Sequence, residues 1–168
     1  PDDGAEKILR FAHAAAAVGW MKNKAYVNLG GIAMGIAGSF CNAEMFQKYF
    51  GIRAEWVDMT EIVRRITLGI YDHDEFDKAL SWVKANCKEG FDCNAGKDLP
   101  EIIRKSKVVD PDQDWAFITK MTMIMRDILY GNPKLDEMGW HEEALGKNAI
   151  AGGFQGQRNW TDWLPNAD

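Results

Sequence analysis

Apolar side chains recur every three or four residues over 5–21, at Ile8, Leu9, Ala12, Ala16 and Trp20, in a stretch rich in alanine. This pattern predicts a helix. Residues 25–29, Ala-Tyr-Val-Asn-Leu, form a short β-type run closed by Gly30 and Gly31, as a buried strand entering a turn would be. Helical spacing returns over 39–50 with Phe40, Met45, Phe46 and Tyr49, which completes one βα unit. A second unit follows: an alternating strand over 52–57 ending at Asp58, then a helix through Ile62, Val63, Ile66 and Leu68 with Thr60 as its expected N-cap. Acids at 72–74 precede a further helix bearing Phe76, Leu80 and Val83. Asp74 is suited to cap it, and its end is expected near 87–90.

Residues 90–107 turn polar and punctuated, and an irregular insertion is expected there, with a short helix over 100–105. Asp110-Pro111-Asp112 reads as a strong helix start. Two neighbouring stripes follow, one through Trp115, Ile118, Thr122, Met125 and Leu129, the other through Phe117, Met121, Ile124 and Ile128. A helix with two such stripes is buried over most of its circumference, and Gly131 with Pro133 behind it ends this one. The small, glycine-rich run 148–154 suits a strand lying close to other backbone. The alternation of strands and helices, without internal repeat or domain boundary, predicts one α/β domain over 1–168. Its expected fold is three-layer αβα with a mostly parallel, Rossmann-like sheet.

At 168 residues with 46% hydrophobic side chains, the chain is large enough for one core. Its 25 acids against 20 bases leave a net charge of −5, which argues against nucleic acid or an anionic membrane as a partner. The longest apolar run, 11–18, is interrupted by His13 and falls short of the ~20 residues of a membrane span. Cys41, Cys87 and Cys93 show no metal or redox spacing and fit a reduced, cytoplasmic setting. Because the chain opens at Pro1 and not at Met, a segment of a larger protein is expected.

Several places hold candidate chemistry. The loop from Gly30 to Ser39, between strand and helix, offers bare amides to an anion or a sugar hydroxyl, although its glycines follow neither common nucleotide pattern. Asp58 stands about where a ribose-binding acid would, so dinucleotide binding is one reading and tight strand-to-helix packing another. Asp72-His73-Asp74 and His141-Glu142-Glu143 resemble metal ligands in composition, but helical neighbours point ~100° apart, and solvated helix starts explain both. The stretch 154–163 gathers Gln155, Gln157, Arg158, Trp160 and Trp163: directional hydrogen-bonding groups beside flat indole faces, as a polar-ligand pocket requires. Core tryptophans behind a capped strand end would look alike.

Three tracts carry a resemblance: Asn28-Leu-Gly-Gly-Ile-Ala-Met-Gly-Ile-Ala-Gly-Ser39, Val57-Asp-Met-Thr-Glu-Ile-Val-Arg-Arg-Ile66, and Asn148-Ala-Ile-Ala-Gly-Gly-Phe-Gln-Gly-Gln-Arg158 with Trp160-Thr-Asp162. In order and spacing they resemble the second α/β domain of the L-fucose isomerases. The resemblance implies a manganese-dependent aldose–ketose isomerase that interconverts L-fucose and L-fuculose, and D-arabinose and D-ribulose, by a proton shift through an ene-diol. It also implies a hexamer of longer chains whose catalytic acids and metal ligands lie downstream of these tracts, so no catalytic or metal-binding residue is expected here. The positions it carries over are Gln155, as a hydrogen-bonding partner of the sugar, and Met34, as an apolar wall. Arg158 and Trp160 match more weakly, with support of the loop presenting Gln155 as their other role. The alternative to a part in catalysis is a sugar-binding or assembly module.

Overall fold

The computed structural model describes residues 2–31, 36, 38, 42–88 and 114–155. Its centre is β1 (Ala25–Leu29), whose alternate residues Ala25, Val27 and Leu29 are fully buried on one face of the sheet. Burial of Val27 and Leu29 contributes about 1.5–3 kcal/mol each. β2 (Arg53–Val57) lies parallel to β1 on one side and β3 (Ala149–Phe154) parallel on the other, giving the order β2-β1-β3.

The β1–β2 register is regular, from Ala25 opposite Arg53 to Leu29 opposite Val57. Along β3 it is not. Ala25 faces Ala149 but Tyr26 faces Ala151, a bulge that advances β3 by one residue and sets Phe154 opposite Leu29. Gln155 therefore leaves the sheet level with Gly30.

One face of the sheet is covered by α3 (Thr60–Leu68) and α5 (Asp114–Tyr130), with α4 (His73–Asn86) packed against α5. Ile62 from α3 and Phe117, Met121, Ile124 and Ile128 from α5 join the buried side chains of β1 and Ala149 in one core. α5 is buried on Phe117, Thr119, Met121, Met123, Ile124, Asp127 and Ile128, so both predicted stripes contribute. Gly152 explains the small residues of β3: a Cβ there would stand 2.5 Å from Met125 Cε on α5 and 2.9 Å from the Val27 carbonyl. On the opposite face, Tyr26 meets Phe46 at 6.0 Å between ring centroids. Phe46 belongs to a helical turn, α2 (Ala43–Met45), that continues as a π-helix over Phe46–Phe50. The architecture is the expected three-layer α/β fold, and the sheet described is wholly parallel.

The helix of 5–21 forms as α1 (Asp2–Met21), with Ile8, Leu9, Phe11, Val18 and Trp20 all exposed. Two local expectations are corrected. Thr60 is the first residue of α3 and not its cap; the Asp58 carboxylate accepts from the Thr60 N–H at 2.8 Å and from its hydroxyl at 2.6 Å. Asp72, and not Asp74, caps α4, because Asp72 has extended backbone and its side chain reaches the Glu75 N–H at 3.1 Å. Beyond Gly131 a further short helix, α6 (Pro133–Glu137), begins, with Asn132 accepting from the Lys134 N–H and Pro133 in the first turn. The predicted insertion at 90–107, the helix over 100–105, the start at 110–112 and the first turn of the 39–50 helix lie outside the described residues. Cys87 is a free, exposed thiol, while Cys41 and Cys93 lie outside the description.

Candidate functional site

In a parallel sheet the carboxyl ends of the strands gather at one edge, and the turns beyond them are where ligands are bound. Here that edge is formed by Leu29-Gly30, Val57-Asp58 and Phe154-Gln155. The Gly30 N–H donates to the Val57 carbonyl at 2.9 Å, and the Gln155 N–H donates to the Leu29 carbonyl at 2.7 Å, so three chain segments are tied together just past the strands. Gly30 has φ of 112°, and a Cβ placed on it would stand 2.1 Å from the Gln155 carbonyl oxygen. Only glycine allows this approach.

Side chains complete the arrangement. Asn28 lies on the sheet face opposite Val27 and Leu29, is 7% exposed, and is paired with Gly153 in the β1–β3 register. Gln155 is two residues beyond Gly153 and so belongs to the same face. There the Asn28 Nδ2 donates to the Gln155 Oε1 at 2.9 Å. A buried amide thus holds the half-buried amide that resemblance had singled out. Asn28 was missed as a site residue by sequence reasoning. The available signal was a polar side chain inside a strand whose neighbours are buried, since such a group is normally placed to make a hydrogen bond.

Asp58 stands at the same edge but is committed to the start of α3, and the hydrogen bonds from the Thr60 hydroxyl and N–H hold its carboxyl below the ordinary range. Met34, Arg158 and Trp160 lie outside the described residues.

The two acid–histidine clusters are occupied separately. His73 lies 3.1 Å from the Gly69 carbonyl and its ring rests on Tyr71; His141 meets Asp136. Glu143 accepts from Arg64 at 2.8 Å. Burial pushes the Glu143 carboxyl up, but the hydrogen bond from Arg64, a backbone hydrogen bond and the charges of Arg64 and Arg65 together hold it below the ordinary range. Among the described residues no three His, Cys, Asp or Glu side chains come together to hold a metal ion. No described helix is long and apolar enough to cross a membrane. A cavity of about 750 Å³, lined by residues that include Trp56, Glu61, Arg64, Glu143 and Lys147, shares Val57 and Asp58 with the strand-end edge. Arg64 pairs with the Glu143 carboxylate at 2.8 Å and Arg65 donates to the Glu143 carbonyl at 3.3 Å, which marks these walls as the joint between α3 and the segment before β3.

Fold and edge together define an α/β domain of the parallel class, with a polar group fixed at the strand ends. Residues 24–168 match the pattern of one family, "L-fucose isomerase, second N-terminal domain". The chain is 62% identical over its whole length to an L-fucose isomerase of Clostridium perfringens, 55% to one of Bacteroides thetaiotaomicron and 52% to one of Streptococcus pneumoniae. It spans 28% of the length of each of these relatives. The chain belongs to the family of the second N-terminal domain of L-fucose isomerases.

Proposed function

We propose that the whole protein containing this chain interconverts L-fucose and L-fuculose, and D-arabinose and D-ribulose, by moving a proton between C1 and C2 through an ene-diol. The observation that carries this reading is the identity of 52–62%, along the full 168 residues, to proteins that are L-fucose isomerases. Within that reaction the chain is a supporting domain. Gln155 hydrogen-bonds a sugar hydroxyl, Met34 forms an apolar wall, and Arg158 and Trp160 hold the loop that presents Gln155. The acids that move the proton, and the ligands of the manganese ion that serves as Lewis acid, belong to other parts of the whole protein. The described residues bring together no donor set for that ion, and no step is assigned to them through it. The 168-residue chain alone is accordingly inactive, and the whole protein works in the cytoplasm. Ketose formation from L-fucose, by the whole protein and by the isolated chain, tests this reading.

A second role rests on a separate observation. Ile8, Leu9 and Trp20, which share one side of α1, are 72%, 55% and 63% exposed, a stripe of apolar surface on a twenty-residue helix. We propose that this stripe is covered in the whole protein by the remaining domains or by other copies of a hexamer.

A further inference from the structure

α1 differs from α4 and α5 in being exposed at every residue from 4 to 20. Its sequence is not that of a surface helix. At 100° per residue, Phe11, Ala15 and Val18 adjoin the side shared by Ile8, Leu9 and Trp20, and the apolar arc they make spans about 200° of the circumference. Glu6, Lys7, Arg10 and His13 all fall in the remainder. A helix lying on one face of a core needs an apolar stripe about half that wide. α5 carries two adjacent stripes in the same manner, and it lies in the core. α1 is therefore built for cover on two sides.

The turn that joins α1 to β1 is fixed. Asn23 has φ of 65°, its N–H donates to the Gly51 carbonyl at 2.9 Å, and the Lys24 N–H donates to the Met21 carbonyl at 3.1 Å. Arg53 Nη1 donates to the Asn23 carbonyl at 3.0 Å, so α1 leaves β1 in a set direction and is not a trailing arm. The family pattern of the second N-terminal domain begins at residue 24, at the end of that turn, whereas the match to a whole L-fucose isomerase includes α1. Domain boundaries fall at such exposed turns, and consecutive elements are usually neighbours in space. We infer that α1 is the closing helix of the first N-terminal domain of the same chain. That domain covers both apolar sides of α1, and the fixed turn at 22–24 sets how it meets β1. This rests on the proposal that the apolar surface of α1 is covered in the whole protein, and goes beyond it by naming the cover and requiring two sides.

Three successive alanines give the test, because they point 100° apart: Ala15 and Ala16 into the two apolar sides and Ala17 into the polar one. In the whole protein, hydrogen exchange over 8–20 should be slow. Ala15→Glu and Ala16→Glu should each speed it on the order of 30-fold by placing a charge against apolar cover, and Ala17→Glu should leave it unchanged. A benzophenone amino acid in place of Leu9, in the otherwise unsubstituted whole protein, should on illumination join to residues ahead of Pro1 in the same subunit, with the denatured mass that of one chain. Fast exchange over α1, unaffected by any of the three substitutions, removes the covering of its apolar surface and the inference with it. Slow exchange that responds at only one of Ala15 and Ala16, at neither, or equally at all three positions overturns the two-sided cover. Slow exchange with the join made elsewhere, to another copy at doubled mass, within 1–168 or beyond 168, leaves α1 covered but overturns the first domain as its partner.

Discussion

At Gly30 the backbone takes a φ of 112° with the Gln155 carbonyl occupying the place of a Cβ. A single methyl group there meets backbone and not a flexible side chain, so the strand ends must separate to admit it. Gly30→Ala is therefore expected to lower the stability of the chain by more than about 1 kcal/mol, from the unfavourable φ alone with the clash in addition. Chemical denaturation of the two proteins measures this, and equal midpoints would contradict it. The residue scale is also where the sequence is least even as a guide. Gly30 and Gly31 mark the turn at first sight, and Gln155 stands out in a cluster of amides and indoles. Asn28 does not, because its role depends on a partner 127 positions away and on a register that no local pattern reveals. Asp58 misleads for a similar reason: its position fits a ribose-binding acid, while its carboxylate is spent on the first turn of α3.

Elements are tied to one another by charged pairs placed where helices cross. Glu75 in the first turn of α4 accepts two hydrogen bonds from Arg126 on α5, and Arg126 also donates to the fully buried Asp127 at 2.7 Å, which accepts from Asn132 ahead of α6. The hydrogen bonds from Arg126 hold the Glu75 carboxyl below its ordinary range, against the smaller opposing effect of burial. A carboxyl lowered by folding stabilises the fold above its unfolded value and loses that contribution as pH falls through the folded value. Both Glu75 and Arg126 are about two-fifths exposed, so the contribution is of the order of surface pairs, about 0.2–1 kcal/mol. Glu75→Gln should then melt below the unsubstituted chain at neutral pH, with the difference closing as pH falls and the glutamate protonates. A difference that persists or widens on acidification would refute this account of the pair. Glu143 titrates in the same sense in both proteins and cancels from the comparison.

Element types, more than their ends, were legible in the pattern of the chain. β1 falls on the predicted residues, and β2 and β3 lie within one residue of theirs, because each is a short apolar run bounded by turn residues. Caps were harder, since adjacent aspartates compete for one helix end and backbone geometry decides between Asp72 and Asp74. Pro133 follows the end of α5 as its spacing predicts, and after Asn132 it also starts α6, which the spacing does not reveal. The bulge in β3 left no trace in spacing, because it arises in the pairing with β1, and the π-helical turn over Phe46–Phe50 left none either.

For the whole molecule, a parallel sheet followed from the order of strands and helices, since parallel neighbours need a crossover between them. What the helical period of α1 left undecided is which surface its stripe meets, for periodicity identifies an apolar face without naming its partner. If other copies cover it, the isolated chain should scatter light as a species heavier than its 18.9 kDa monomer, and Leu9→Glu with Trp20→Glu should return it toward that mass. A monomeric unsubstituted chain would rule out self-association through α1 in the absence of the remaining domains. The claim that organises all of this is that the chain supports, and does not itself perform, the isomerisation of an aldose. The most direct test is ketose formation from L-fucose, measured on the whole protein stripped of metal and resupplied with manganese, beside the 168-residue chain under the same conditions. The expected result is turnover by the whole protein only when manganese is returned, and none by the chain. Turnover by the chain alone, or a whole protein inert toward L-fucose with every divalent ion tried, would contradict it.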